Sequence, residues 1–285
     1  MNQSGRTYVF GVRNMVSGPV VRQVDQLRRM REWGNSMSLT AGADHGAEDL
    51  RGRTVVLIGG GSGIGLRVAH RVVRAGARVV LGGRTAARLE AAAADLGEAV
   101  TWRTVDTGDT TSLAAFFDAI ERVDHLFTSA ASYQVGPMRE LSEQDAASPF
   151  DSKFWGQYRT VRTALPKLAP DGSVVLMSGA ASARPAGPAP AYVACNAAIE
   201  GLGRGLAVEL APIRVNTVAP GTVNGNLWNN RPAAAREAAF AQYRDDALLG
   251  RPATEDEIAQ AVVFLFTNGF TTGSTLYTDG GYTLR

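Results

Sequence analysis

From residue 53 to the C-terminus, short β-branched runs alternate with segments of helical periodicity, a pattern that few folds accommodate. The strand-like runs are TVVLIGG, ARVVLGG, VTWRTVD, DHLFTSA, SVVLMSG, IRVNTVAPG and GSTLYTDGG. Between them lie segments such as LRVAHRVVRAG, whose apolar residues recur at helical spacing. Strands that alternate with helices in this way form βαβ units. The sequence therefore predicts an α/β fold, with a doubly wound parallel sheet and helices on both faces.

Composition excludes several classes of function. The chain has 285 residues, of which 45% are hydrophobic and 20% charged, and a net charge of +2 at pH 7. This balance is typical of a globular protein and provides no basic surface for nucleic acid. No apolar run approaches the roughly 18 residues that indicate a membrane span. The single cysteine, Cys195, cannot form an intrachain disulfide, and the three histidines show no metal-ligand spacing. We therefore expect a cytoplasmic protein without nucleic-acid, membrane or metal partners.

Residues 1–50 differ from the rest of the chain in carrying scattered arginines and weak periodicity. We expect a loosely ordered N-terminal extension there, since terminal segments are often poorly ordered. A second interpretation is that the start is over-long, because Met37 opens a normal short lead-in to the first strand. A regulatory or oligomer-clasping arm is the functional alternative. Residues 51–285 are predicted to form one domain.

A glycine-rich loop, IGGGSGIG at residues 58–65, follows the first predicted strand and opens the first predicted helix. Glycines at these positions permit a tight turn and a close approach of the backbone, and the free N–H groups of the helix start favour a pyrophosphate. A strand before the loop and a helix after it are the context that a dinucleotide site requires. A flexible turn is the alternative. The residues predicted to contact the cofactor here are Gly59, Gly61, Ser62, Gly63, Ile64 and Gly65.

Several motifs, in order along residues 51–285, resemble those of the short-chain dehydrogenase/reductase family. They are GGGSGIG, VD at 105–106, a tyrosine at a helix start (Tyr192), RVNTVAPG at 214–221, and the closing LGRPATEDEIAQAVVFL and TGSTLYTDGG. The resemblance implies a Rossmann-like sheet of about seven strands. It also implies a homodimer or homotetramer built on the two long helices, within 154–169 and 197–211.

The end of the second strand indicates which nicotinamide cofactor is used. NAD-dependent relatives carry an acidic residue where Gly83 stands, whereas here Arg84 follows a neutral position. A guanidinium can bind a 2′-phosphate through two parallel hydrogen bonds, so we predict NADP(H). The alternative for Arg84 is a solvated surface arginine.

The resemblance also assigns further cofactor contacts along the chain. Asp106 would contact the adenine amino group, although a helix N-cap is the alternative for this residue. The family's NNAG segment reads TSAA here, which leaves Ala130 beside the cofactor. The segment after the sixth strand would supply Pro220, Gly221 and Val223. Gly225 stands near the position where relatives often carry a threonine.

The catalytic residues depart from the family pattern. The family uses a tyrosine as acid/base, and a lysine four residues later favours its phenolate form. Tyr192 is present, but Asn196 occupies the lysine position, and Lys153 occupies the position of the family's asparagine in the preceding long helix. Only Lys153 and Lys167 among the 29 basic residues are lysines. We therefore predict an exchanged pair, in which Lys153 supplies the charge and Asn196 contacts the cofactor ribose. Independent drift of both positions is the alternative.

The family's serine, which holds the substrate oxygen, has no clear counterpart. Counting without gaps places Gly179 at its position, and the neighbouring Ser178 should face the other way along a strand. One extra residue in the loop AASARPAGPAPA would bring Ser178 into register, so Ser178 is the candidate and Ser182 a weaker one. Ser178 as a mere strand end is equally compatible with the sequence.

These observations predict an NADP(H)-dependent oxidoreductase that interconverts a carbonyl and an alcohol on a small apolar molecule. Two alternatives remain at this point. One is an enzyme of the same fold without net redox chemistry, such as a dehydratase, isomerase or cyclase. The other is a catalytically inactive protein that binds and senses NADP(H).

Overall fold

The computed structural model describes residues 50–229 and 231–285. The extension predicted for residues 1–50 lies outside this part of the chain, apart from Leu50. Leu50 is buried, and its N–H donates to the Ala75 carbonyl over 2.9 Å. This residue therefore belongs with the domain that follows it.

The secondary structure alternates between strands and helices, as the sequence predicts. The strands are β1 (Thr54–Ile58), β2 (Arg78–Gly83), β3 (Val100–Thr104), β4 (Val123–Thr128), β5 (Leu168–Met177), β6 (Arg214–Pro220), β7 (Val223–Asn224), β8 (Ala253–Thr254) and β9 (Thr275–Thr278). The helices are α1 (Gly63–Arg74), α2 (Ala86–Leu96), α3 (Thr110–Asp118), α4 (Glu143–Pro149), α5 (Trp155–Ala164), α6 (Pro190–Glu209), α7 (Asn226–Asn229), α8 (Ala233–Asp246) and α9 (Glu255–Thr267).

Seven parallel strands form the main sheet in the order β3-β2-β1-β4-β5-β6-β9, and β7 and β8 form a separate parallel pair. The predicted Rossmann-like, doubly wound α/β fold is therefore confirmed. The strand order reverses direction between β1 and β4, which is where such sheets open a ligand cleft at their carboxyl ends.

The core lies on both faces of the sheet. Val55 and Leu57 of β1 pack towards α1, α2 and α9, whereas Val56 and Ile58 pack towards α3, α5 and α6. Because alternate side chains point to opposite faces, a strand covered on both sides needs a continuous apolar run, and TVVLI supplies it.

The long helix predicted over residues 154–169 is shorter at its C-terminal end and differs at its start. It ends at Ala164, a 3₁₀ turn covers Leu165–Lys167, and β5 begins at Leu168. Pro166 accounts for this end, since proline cannot donate the next helical hydrogen bond. Before the helix, Phe150–Phe154 form a π-helical turn that continues from α4. This wider turn carries Lys153.

Candidate active site

A cleft opens at the carboxyl ends of the central strands. Two adjoining cavities occupy it, of about 370 Å³ and about 930 Å³. The smaller lies beside the end of β2, and the larger extends from the glycine loop to Tyr192. Every residue predicted for the cofactor or for catalysis lines one of the two cavities, with the exceptions of Gly65 and Asn196.

The glycine loop has the geometry of an anion site. Gly59 and Gly63 have φ angles of 92° and 58°, which residues with a side chain rarely adopt. A Cβ at Gly65 would collide with the Gly59 carbonyl, so glycine there lets α1 pack closely against the end of β1. Ser62, the N-cap of α1, makes no capping hydrogen bond through its side chain, and the first turn holds no acidic residue. The backbone N–H groups of this turn are thus positioned for a pyrophosphate.

One residue that sequence reasoning missed borders this loop. Glu255 begins α9, and its Oε1 accepts a hydrogen bond of 2.9 Å from the backbone N–H of Asn226. A Cβ at Gly63 would lie 3.3 Å from the same oxygen, and a Cβ at Gly225 would collide with it. Glycine at position 225 therefore makes room for a carboxylate next to the predicted pyrophosphate site. Only the fold brings these residues together.

The end of β2 presents two arginines to the smaller cavity. Arg84 follows the last residue of β2, and Arg88 lies one helical turn further on. Arg88 is a second residue that the sequence did not single out. Both guanidinium groups belong to exposed residues, and no carboxylate stands at Gly83.

Asp106 also lines the smaller cavity, at the predicted adenine position. Its Oδ1 accepts a hydrogen bond of 2.8 Å from the backbone N–H of Gly108. The N-cap of α3 is Asp109, whose side chain accepts a hydrogen bond from the N–H of Thr111. The alternative interpretation of Asp106 as a helix N-cap is therefore wrong.

Lys153 and Asn196 meet in the interior, beneath the larger cavity. The Lys153 ammonium donates to the Asn196 side-chain oxygen over 2.5 Å and to the Ser178 carbonyl over 2.9 Å. The Asn196 amide in turn donates to the Tyr192 carbonyl over 3.0 Å. Lys153 is 5% exposed and Asn196 is fully buried, so the ammonium ion is held by oxygen atoms on both sides. The two positions that are predicted to be exchanged are thus in direct contact.

The same ammonium lies against the tyrosine. Lys153 Nζ is 5.2 Å from the ring centroid of Tyr192. Burial alone would raise the pKa of Tyr192, but the Lys153 charge and hydrogen bonds from Tyr133 and Asn196 outweigh it and lower this pKa below its usual value. A lowered pKa is what a tyrosine needs to exchange a proton near neutral pH.

Tyr133 is the third residue that sequence reasoning missed, and its ring stacks on that of Tyr192. Their ring centroids are 5.2 Å apart at an interplanar angle of 28°, and the Tyr133 hydroxyl donates to the Tyr192 hydroxyl over 3.4 Å. Burial and the neighbouring Tyr192 raise the pKa of Tyr133 well above its usual value. The two phenols therefore differ, and Tyr192 is the one that ionises first.

Ser178 lines the cleft, but its hydroxyl is turned away from Tyr192. Ser178 Oγ donates to the Asn196 carbonyl over 3.0 Å and to Glu200 Oε1 over 3.1 Å, both further along the helix that carries Tyr192. A Cβ at Gly179, by contrast, would lie 3.4 Å from the Tyr192 hydroxyl. Gly179 thus occupies the position expected of a substrate-binding serine, as counting without gaps suggests. The structure does not place Ser178 or Ser182, which also bonds Glu200, beside Tyr192.

The segment after β6 covers the cleft. Trp228 and Tyr243 line the larger cavity, whereas Phe240 is buried and packs edge-on against Trp228, with ring centroids 5.6 Å apart. Tyr243 is itself 5% exposed and donates to the Asp279 carbonyl over 2.6 Å. Of the three aromatic residues, Trp228 therefore offers the most surface to a ligand.

None of the helices within residues 50–229 and 231–285 is long and apolar enough to cross a membrane. Over the same residues, no three side chains of histidine, cysteine, aspartate or glutamate are grouped so that they could hold a metal ion.

Comparison with known proteins finds a matching family model and several similar dehydrogenases and reductases. Residues 59–283 match the family model described as enoyl-(acyl carrier protein) reductase. An uncharacterized short-chain type dehydrogenase/reductase of Sinorhizobium fredii is 35% identical over 82% of this chain, which spans only 44% of that protein's length. Galactitol 2-dehydrogenase (L-tagatose-forming) of Cereibacter sphaeroides is 34% identical over 82% of this chain and 96% of its own.

A solved structure also bears on the catalytic residues. An NADPH-bound short-chain oxidoreductase of Pseudomonas aeruginosa, described as containing an atypical catalytic center, superposes with a TM-score of 0.76 and 29% identity. The match covers 82% of this chain and 97% of that one. A departure from the usual catalytic residues therefore occurs in a structural neighbour that binds NADPH.

Proposed function

Because the chain belongs to the short-chain dehydrogenase/reductase family, whose members use nicotinamide cofactors, we propose that it is an NADP(H)-dependent oxidoreductase. Its reaction would interconvert a carbonyl and an alcohol on a small, largely apolar molecule. The observation that carries this proposal is the contact of a buried lysine with a cleft tyrosine of lowered pKa. That pairing supplies an acid/base next to a cavity large enough for a cofactor end and a small substrate.

The proposed chemistry divides between the chain and the cofactor. When bound, the nicotinamide supplies or accepts the hydride at the substrate carbon. In reduction, Tyr192 gives its hydroxyl proton to the substrate oxygen, and Lys153 stabilises the phenolate that is left. In oxidation, the Tyr192 phenolate takes the hydroxyl proton of the alcohol. Asn196 orients the lysine through its side-chain oxygen, a role that differs from the predicted contact with the cofactor ribose.

The cofactor contacts follow the two ends of the cleft. The glycine loop, with the first turn of α1, would hold the pyrophosphate, and Asp106 would face the adenine. Ala130, Pro220, Gly221 and Val223 line the larger cavity and would contact the nicotinamide end of the cofactor. Arg84 and Arg88 would bind the 2′-phosphate, which supports NADP(H) over NAD(H).

The nature of the substrate is inferred from the surfaces around Tyr192. Val135, Pro137, Met177, Ala180 and Trp228 contribute apolar surface to the larger cavity. Burying such surface favours an apolar ligand by about 25 cal/mol per Å². A small molecule with one carbonyl or hydroxyl group would satisfy both the apolar walls and the polar end at Tyr192.

Titration of the full chain with NADPH and NADH, followed by nicotinamide absorbance over a panel of small ketones and aldehydes, tests the proposal. We expect NADPH to bind more tightly and to be oxidised with at least one carbonyl. Arg84→Asp should weaken NADPH binding by about 10- to 100-fold, because a hydrogen bond to a charged group contributes about 1.5–3 kcal/mol. Binding of NADH should change little or improve. Binding without turnover on any substrate would instead favour non-redox chemistry or sensing, and failure to bind either nucleotide would refute the cofactor site.

We also propose that the chain forms a homodimer or homotetramer through α5 and α6. Trp155 at the start of α5 is 43% exposed and Val208 near the end of α6 is 84% exposed, and burial of both in an interface would remove apolar surface from water. Light scattering during gel filtration measures the mass directly. The cytoplasmic location and the exclusion of nucleic-acid partners stay predictions from the sequence.

A further inference from the structure

Tyr133 belongs to the loop between β4 and α4, and no part of the proposed chemistry so far requires it. Its hydroxyl is nevertheless the closest side-chain donor to the Tyr192 hydroxyl among the hydrogen bonds of the described residues, at 3.4 Å. It also lines the same cavity as Tyr192, Lys153 and Gly179. A phenol that donates to the acid/base can influence the reaction directly.

Within residues 50–229 and 231–285, no other side-chain hydroxyl is hydrogen-bonded to the Tyr192 hydroxyl. Gly179 has no side chain, and the hydroxyl of the neighbouring Ser178 donates to the Asn196 carbonyl and to Glu200, further along the helix that carries Tyr192. The Lys153 ammonium therefore lies against the ring of Tyr192, and the Tyr133 hydroxyl lies beside the Tyr192 hydroxyl. These are two distinct means of stabilising a phenolate: a nearby charge and a hydrogen bond to the charged form.

On the basis of the function proposed above, we propose that Tyr133 is a second catalytic hydroxyl, which donates a hydrogen bond to the Tyr192 oxygen and stabilises its phenolate in a site where position 179 carries no hydroxyl. When Tyr192 gives its proton to the substrate oxygen, the Tyr133 O–H remains intact and donates to the oxygen that has become negative. No proton leaves Tyr133, so the step adds no further reactant.

The surrounding charges support this division of roles. Lys153 Nζ is 5.2 Å from the Tyr192 ring centroid but 6.0 Å from that of Tyr133, so the cation favours ionisation of Tyr192. Cys195, on the same helix as Tyr192, is a buried thiol whose pKa is raised by burial, and it therefore remains neutral. Arg231, in the segment after α7 with its guanidinium 4.8 Å from the Trp228 ring, acts in the opposite direction and lowers the pKa of Tyr133, but burial and the neighbouring Tyr192 outweigh it.

The structure offers a rescue variant as well as a deletion. Tyr133→Phe removes the hydroxyl and retains the stacked ring. Gly179→Ser would add a hydroxyl next to Tyr192, since a Cβ at position 179 lies 3.4 Å from both the Tyr192 hydroxyl and Asn196 Oδ1, which are ordinary contacts. The Gly179 backbone is extended at φ −176°, so a side chain is compatible with it. Gly179→Ala provides the matched control, with the added carbon but no hydroxyl.

Ionisation of Tyr192 can be measured without turnover, from the tyrosinate absorbance of each protein minus that of the same protein carrying Tyr192→Phe. We expect Tyr133→Phe to raise the pKa of Tyr192 by about one pH unit, the shift expected for loss of a hydrogen bond to a charged group. Tyr133→Phe with Gly179→Ser should reverse most of the shift, and Tyr133→Phe with Gly179→Ala should not. In alcohol oxidation near neutral pH, kcat should fall about tenfold and recover in the same order, with little change in the Kd for NADPH.

The two readouts separate this inference from the proposed function. An unshifted titration in Tyr133→Phe, or rescue by alanine as effective as by serine, would overturn the role of Tyr133 even if the enzyme turns over carbonyls. Faster turnover in Tyr133→Phe would also overturn it, because Tyr133 would then merely cover the site. A shifted titration in a protein that oxidises no alcohol would support the hydrogen bond and refute the redox reaction.

Discussion

Replacing Lys153 with methionine tests the electrostatic basis of the proposed acid/base. Methionine retains a long, flexible side chain and removes the charge that lies 5.2 Å from the centroid of the Tyr192 ring. With the phenolate charge taken at the ring centroid and an effective dielectric constant of about 20, a unit charge at this distance stabilises the phenolate by roughly 3 kcal/mol. Because one pKa unit corresponds to about 1.36 kcal/mol, the pKa of Tyr192 should rise by about two units.

The assay is the pH dependence of kcat for alcohol oxidation, in which the proposed role of Tyr192 is that of a base. Activity should rise with pH through the pKa of Tyr192, so Lys153→Met should move the midpoint upward and lower kcat near neutral pH by about 100-fold. The loss should diminish as the pH is raised. Lys167→Met is the matched control, since it makes the same substitution in the 3₁₀ turn after α5.

Lys153→Met also leaves the Asn196 side-chain oxygen and the Ser178 carbonyl without their donor. Each buried oxygen atom without a partner costs about 1–3 kcal/mol, so the variant should unfold at a lower temperature. Thermal unfolding and NADPH binding, measured on the same sample, establish that the protein is folded when kcat is determined. Wild-type turnover and an unchanged pH profile in folded Lys153→Met would refute the role of this lysine.

Three further predictions follow from other contacts. Lys153→Asn should lose activity as Lys153→Met does, and adding Asn196→Lys should restore part of it by returning a cation to the helix of Tyr192; kcat of the single and double variants checks this. Glu255→Gln should lower the Kd for NADPH about two- to fivefold, because it removes a partly exposed negative charge beside the pyrophosphate site, and the gain should shrink at high salt in binding titrations. Arg251 and the Thr254 backbone lower the pKa of Glu257 to about 2 from 4.5, so its contribution to stability should be present above about pH 4.5 and be lost as the pH falls towards 2; urea unfolding of wild type and Glu257→Gln over that range measures it.

The sheet and the glycine loop could be predicted because their signals are local. Each strand is a contiguous apolar run, and the IGGGSGIG loop has its strand on one side and its helix on the other. Positions 153 and 196 could also be singled out, because they were identified by counting from neighbouring motifs; that they form an exchanged pair stays a prediction. The structure brings them into contact: Asn196 accepts a hydrogen bond from Lys153 and does not line the larger cavity.

Tyr133 and Glu255 could not be identified in the same way. Tyr133 lies in an irregular loop with no periodic pattern, and its partner Tyr192 is on another element. Glu255 begins a helix that is distant in sequence from the glycine loop. Only the tertiary fold therefore brings its carboxylate next to Gly63 and Gly225. Ser178 shows the opposite case. The sequence offered it as the residue for the substrate oxygen, but its hydroxyl donates to the Asn196 carbonyl and Glu200, whereas a Cβ at Gly179 would lie 3.4 Å from the Tyr192 hydroxyl.

The predicted exchange of Lys153 and Asn196 can be explained by the cost of burial. Asparagine at both positions would leave Tyr192 without a cation, whereas lysine at both would place two ammonium ions in one interior site. One of each keeps a single charge and gives it an amide oxygen and a backbone carbonyl as acceptors, which is how a buried ammonium ion is tolerated. The π-helical turn at Phe150–Phe154 carries this lysine, and such turns are frequent at functional sites. The charge therefore reaches the tyrosine ring from the neighbouring helix, which leaves the Tyr192 hydroxyl facing the cavity with Tyr133 as its hydrogen-bond donor.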